Sequence, residues 1–554
     1  MDFLYLLCNL YIIGLSVALP LYTGGTYYQI GDSKYVLFQN LSLLCLGLWI
    51  AASLVLWIRR KLRISDSLDT EQETMNPVSG ERMSGRGRLG STDFCMLLYG
   101  VSVLLSACLS KYGLTAWNGY REWYMGAVSQ LIFVGIYFFV SRCYDGKRYP
   151  LILNLTAFCA VTLFGILHRL GYDALGLMKG FQTSNWEYSH MISTIGNINW
   201  FCGYYSVALA LPVAGFLKSE GRRKQAVLYG ISVLGLFLLF VQGSDTGVML
   251  TGMCLLICMI WGMQNRNVFR KTFLLAAGLC LMIPVYGVIA SAVGERALAA
   301  FPADSIGWNV INFWGWWLAG ALCMTIYCIL YRFSMKSTDK AQKRMCLGIL
   351  MSILFALILL VAFYLKRQPL SEAWGSGRGT LWKVAWQGFL RNGWLQKLVG
   401  VGPDCFAEYI YSTFTGDELL ILEGRWSNAL YANAHNEWLN HLINLGIMGT
   451  GCYLGIFMTC AWRYRKNLLG ILVIFMYGAI SLTCFQQCMS TPLFFMMLGI
   501  CEASLRAQGQ YSLQRNMVKQ PEECEFVSAK GDTASETCRH RKGGQINEMG
   551  KIQN

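Results

Sequence analysis

The sequence predicts an all-α polytopic membrane protein of about fourteen transmembrane helices, with both termini on the cytoplasmic side and one long extracytoplasmic loop that carries short helices. Three observations predict it. Of the 554 residues, 55% are hydrophobic and only 14% charged, with a mean hydropathy of +0.41. Apolar windows of about 17 to 25 residues, long enough to cross the hydrocarbon core, recur along nearly the whole chain. Lysine and arginine gather in alternate connections between those windows.

The windows lie near residues 3–20, 35–58, 93–110, 124–141, 149–168, 196–217, 225–243, 246–264, 272–293, 308–331, 346–365, 437–461, 468–484 and 486–504. The first has neither a basic leading segment nor a small-x-small cleavage site, so it reads as a span and not as a signal peptide. An even number of spans puts both termini on one side. With the N-terminus inside, the inner segments hold 33 of the 46 basic residues. Seven of the remaining 13 fall in a single long loop, where charge carries little topological information. The net charge of +15 therefore reports orientation, and no nucleic-acid partner is needed to explain it.

These features divide the chain into residues 1–58 with the first two spans, a polar linker 59–92, a central bundle 93–365, an extracytoplasmic loop 366–434, the C-terminal spans 435–504 and a basic tail 505–554. The linker and the tail lack apolar periodicity and read as disordered. Nearly all of the 21 cysteines fall in spans or on the inner side, where they act as small apolar fillers. Cys405 stands alone in the long outer loop, so no structural disulfide is expected. Cys254 and Cys258 have no metal-ligating neighbour in sequence, and no zinc or P-loop motif occurs.

The loop 366–434 is too long for an ordinary connection, which points to function. Within it GSGRGTLWKVAWQGFLRNGWL reads as a helix, because Trp382, Trp386 and Leu390 recur at four-residue spacing. Arg378 stands near its start, where a guanidinium and helix N–H groups jointly suit an anion. Trp382 and Trp386 suit either interface anchoring or sugar stacking. After a GVGPDCF turn the loop ends on YANAHNEWLNHL, which places His435, one of five histidines, at a membrane boundary. Asn433, Asn436, Asn440 and Asn444 follow a helical spacing and would stack on one face directed into the bilayer, bonding either neighbouring helices or substrate. Gly451 and Gly455 form a small-x-x-x-small pair suited to helix packing. His168, His190, His441 and His540 show no partner pattern and default to structural roles.

Arg378 in GRGTLW, the GVGPDCF turn, and Ala434-His435-Asn436 followed by Leu439, Leu442, Gly446 and Gly449 resemble the C-terminal signature of the O-antigen ligase and O-antigen polymerase superfamily. TIGNINWFCGYYSVALALP upstream is similar to that family's segment opening a central span, and WNGYREW around Arg121 to an early outer loop. The resemblance implies a helical, metal-independent glycosyltransferase without cofactor. Such an enzyme moves a glycan from a polyprenyl-pyrophosphate donor to a glycan, lipid or cell-wall acceptor hydroxyl on the outer face, with inversion at the anomeric carbon. It implies His435 as the base or acceptor-orienting group and Arg378 as the pyrophosphate ligand; Asn433, Asn436 and Trp382 are candidate substrate contacts from their own positions, beside the structural roles given above. One departure stands out. Where family members often place an arginine after a serine, this chain has QGSDTGVML, with Asp245 and Thr246. A second phosphate cation would then come from Arg121, Arg296, Arg391 or Arg425, with Arg425 favoured by its place ten residues before His435. Asp245 would pair with one of these arginines or hold an acceptor hydroxyl.

A polysaccharide flippase or exporter is the alternative from another class, but such transporters show pseudo-symmetric halves and ionisable groups at mid-membrane, and neither is visible. A protein O-oligosaccharyltransferase shares the same signature and differs only in which acceptor enters the cleft.

Overall fold

The computed structural model describes residues 2–68, 89–301, 306–332, 374–416 and 432–508, with 344, 347–349 and 351. Contacts separate Met1–Ser504, which holds every element named below, from Leu505–Asn554. Arg425, most of the window 346–365, the linker from 69 to 88 and the tail beyond 508 lie outside the described residues.

Each apolar window that falls on described residues contains helix. The first nine are α1 (Asp2–Leu21), α2 (Ile30–Leu68), α3 (Ser91–Leu109), α4 (Ala127–Cys143), α5 (Tyr149–Arg169), α6 (Ile198–Lys218), α7 (Arg222–Val241), α8 (Asp245–Gly262) and α9 (Arg266–Val293). Among the described residues eight helices are long and apolar enough to cross a membrane, which makes this a multi-pass membrane protein. α4 is shorter, as is α15 below. α2 continues to Leu68 where the linker was expected from residue 59.

The window near 308–331 divides into a short helix, Ile306–Ile311, and α10 (Gly315–Arg332), which packs along α9. α11 (Trp374–Arg391) is the helix expected in the long loop, and α12 (Phe406–Thr413) follows the GVGPDCF turn. The window near 437–461 also divides, into α13 (Glu437–Asn444) and α14 (Gly446–Arg463). The break is at Gly446, whose φ of +65° suits glycine and whose close approach to the Leu398 carbonyl leaves no room for a Cβ. α15 (Leu468–Ile480) leads into a last helix that opens at residue 491.

A two-residue antiparallel hairpin interrupts the helical pattern, pairing Met191 with Asn197 and Ile192 with Gly196. It runs straight into α6, whose first turn is capped by the Asn197 side chain accepting from the Asn199 N–H. The apolar side of α11, with Leu381, Val384, Ala385 and Phe389, packs against α12 and Ile443 of α13 in one buried cluster that also contains Ala434. This cluster fixes where Arg378 and His435 stand relative to each other.

Candidate functional site

His435 has φ +44°, in the left-handed region that histidine enters more readily than most side chains but still at a cost. Local hydrogen bonds hold it there. Its backbone N–H donates to Asn433 Oδ1 at 3.0 Å, and the next residue, Asn436, is extended and caps α13 by accepting from the Leu439 N–H at 3.0 Å. Asn436 Nδ2 also donates to the Leu482 carbonyl at 3.1 Å, and the Glu437 N–H donates to that of Ser481 at 2.8 Å. The His435 ring meets Phe485 edge to face at 5.3 Å. His435 is thus presented by a reversed turn braced on the segment 481–485.

Only part of the expected asparagine stripe forms: Asn440 and Asn444, one turn apart in α13, line the same cavity as Asn433. Asn433 precedes the helix, Asn436 is its cap, and Asn440 accepts from the Ala434 N–H at 3.3 Å. Helical spacing was a poor guide because α13 starts only at Glu437, so the first two asparagines belong to turn chemistry.

Arg378 is held from another direction. α11 begins at Trp374, four residues before the start that Gly-Arg-Gly suggested, and within it Gly377, just before Arg378, has φ +88°. Arg378 Nη2 donates to Asn199 Oδ1 at 3.4 Å, and the same oxygen accepts from Ser244 Oγ at 3.1 Å. Ser244 in turn caps α8 through the Thr246 N–H. Burial pushes the guanidinium below its usual value, while the Asp245 carboxylate, among nearby groups, acts in the opposite sense. Asp245 stands exposed in the first turn of α8. Burial and, secondarily, the Arg378 charge push His435 down to about 3, so the ring is neutral near pH 7. The two residues singled out in the sequence share one electrostatic environment, 57 positions apart in the chain.

The other expected residues are placed less uniformly. Trp382 packs against the buried cluster around α11, which matches an anchor, whereas Trp386 is 50% exposed. Arg121 is exposed on the loop between α3 and α4. Arg391 lies over the Phe414 ring at 4.3 Å, at the far end of α11 from Arg378, about 20 Å along the helix. Arg296 is exposed in the short helix after α9. Three further residues escaped the sequence reading. Asn199 was hidden because its segment announced only a helix start. Phe485 stands in an unpatterned turn. Asp404 lies in the quoted GVGPDCF turn, yet its task is visible only in three dimensions: Oδ2 accepts the N–H groups of Tyr120 and Met125 at 2.8 and 2.9 Å. Among the described residues no group of three or more His, Cys, Asp or Glu is placed to hold a metal ion.

Residues 315–454 match the protein family described as O-Antigen ligase. The chain carries an O-antigen ligase domain. With it comes a ligase-type function in polysaccharide transfer. No curated protein matches the chain. The O-antigen ligase segment contains Arg378, Asp404 and His435, while Asn199, which bonds Arg378, and Phe485, which touches His435, come from outside it. The site is therefore completed by α6 before the matched segment and by the turn segment 481–485 after it.

Proposed function

We infer that this protein transfers a glycan from an undecaprenyl-pyrophosphate donor to an acceptor hydroxyl on the outer face of the cytoplasmic membrane. The observation that carries the reading is a histidine presented by a reversed turn, in the same buried cluster region as the Arg378 helix. The donor's anomeric carbon already bears a good leaving group. What remains is to take a proton from the acceptor hydroxyl and to stabilise charge on the departing pyrophosphate.

A ring nitrogen of His435 accepts the hydroxyl proton as the acceptor oxygen bonds to the anomeric carbon, and the carbon–oxygen bond to the pyrophosphate breaks with its electron pair going to the phosphate oxygen. Attack from the face opposite the leaving group inverts the configuration. Arg378 offers the planar fork that suits phosphate oxygens. An anion bound beside Arg378 also offsets the lesser of the two causes that depress the histidine, burial being the larger, and so raises its basicity when substrate is present. Asp245 stands where a second cation would be expected, and Arg121 and Arg425 are the proposed sources of that charge. Asn433 and Asn436 act on this reading chiefly by setting the His435 turn, and Trp382 by seating α11.

In cells, His435→Ala is expected to abolish transfer with normal protein levels. Full-length glycan left unattached would mark a ligase, and short glycans a polymerase. Unchanged surface glycan would overturn the reading.

A further inference from the structure

The loop between α3 and α4, WNGYREWYMG, is built to hold one side chain. Trp123 is flanked by two non-glycine residues in the left-handed region, Glu122 at φ +79° and Tyr124 at φ +54°. Such backbone is costly and persists only where surrounding structure enforces it. The enforcement is visible on three sides. The neck of the loop closes where Gly119 and Gly126 touch, so tightly that a Cβ on Gly126 would lie 2.3 Å from the Gly119 nitrogen. Asp404, 5% exposed and reached from the far side of the sequence, accepts N–H groups from both limbs of the loop. Tyr124 stacks on Tyr35 at 4.2 Å, and its carbonyl accepts from Ser129 Oγ at 2.6 Å.

The indole so held meets Phe485 at 4.6 Å and Trp200 at 5.9 Å, both nearly perpendicular. Phe485 is the ring that contacts His435, so Trp123 stands one aromatic ring away from the candidate base. Both rings line a narrow cavity of about 20 Å³ together with Asn433, Asn440, Glu437 and Gln486, so a sugar ring enters only as the cavity widens. Aromatic rings beside amides and a carboxylate are the lining expected for a hydroxyl-rich ring, whose C–H face packs on an aromatic surface while its hydroxyls meet polar groups.

We propose that Trp123 is a stacking platform for a sugar ring at the reacting centre, and that Asp404 is the positioning residue that holds it there. This rests on the transferase reading above. The shared chemistry is a pyranose with an apolar face, and either the donor's first sugar or the acceptor's last one supplies it. The carboxylate suits its task because both N–H groups reach a single oxygen, an arrangement that an asparagine side-chain oxygen reproduces and alanine does not.

The test uses the full chain in lipid nanodiscs, with methyl glycosides of glucose, galactose and N-acetylglucosamine as probes, read by saturation transfer from protein to sugar C–H protons. At least one glycoside is expected to receive saturation, with affinity about 3- to 10-fold weaker in W123L and near the parent in W123F. D404N is expected to bind like the parent and D404A like W123L. H435A is expected to bind normally while failing to transfer, which separates the platform from the chemistry. In transfer assays of W123F and W123L, a KM rise confined to one substrate assigns the ring to donor or acceptor. Equal binding by W123L and the parent overturns the platform, as does absence of saturation for every glycoside. Loss of binding in D404N equal to that in D404A overturns the positioning role. Retained transfer by H435A instead overturns the underlying reading.

Discussion

His435 and Arg378 show how differently two residues of one site are written into a sequence. The four-residue repeats made the helix that carries the arginine legible, but not its start, since α11 begins at Trp374 and Gly377 inside it takes a positive φ. The histidine was legible as a residue but not in its conformation, since a left-handed turn depends on Asn433 accepting its N–H. Replacing Arg378 by lysine keeps the charge and loses the fork, so transfer is expected to fall about 10²- to 10³-fold with the protein still folded, measured as turnover of lipid-linked donor. The histidine also predicts a pH effect on stability. Its folded value of about 3 lies below the unfolded value of ~6.5, so between these pH values the unfolded chain binds more protons and stability falls as pH is lowered. Thermal unfolding in detergent from pH 7 to pH 4 is expected to show a shallower decline in H435Q than in the parent. An equal or steeper decline would place the ring in a more polar setting than described.

At the level of elements, periodicity located the helices but not what ends them. α11 was visible because its apolar positions face one cluster with α12 and α13. The asparagine run misled because its spacing is helical while its first members are cap and turn. Only the Asn436 side chain accepting from Leu439 distinguishes these alternatives. Asn436→Ala is expected to cost about 1 kcal/mol through loss of the cap, and to reduce transfer as well because the neighbouring turn carries His435. Asn436→Ser, another good capping residue, is expected to restore most of the stability in the same unfolding measurement. Gly377→Ala places a Cβ residue at φ +88° and is expected to lower both stability and transfer.

Over the whole molecule, hydropathy foretold a multi-pass helical protein, and eight described helices meet the length and apolarity that crossing requires. What sequence could not convey is assembly across distance. Asn199 and Ser244 hold or adjoin Arg378, Phe485 touches His435, and Asp404 clamps a loop some 280 residues before it, contacts that no local pattern announces. The orientation argued from charge has its own test. His435→Cys in an otherwise cysteine-free chain is expected to react with a membrane-impermeant maleimide added outside intact cells, and labelling only after permeabilisation would reverse the topology.

The most direct measurement is transfer by purified His435→Ala with lipid-linked glycan donor and its acceptor, alongside the parent and with unfolding temperature as the control for folding. Loss of about 10²- to 10⁴-fold in turnover, with donor binding and unfolding temperature retained, is the expected result. Turnover within a few-fold of the parent would contradict the role of His435 as the group that takes the acceptor proton.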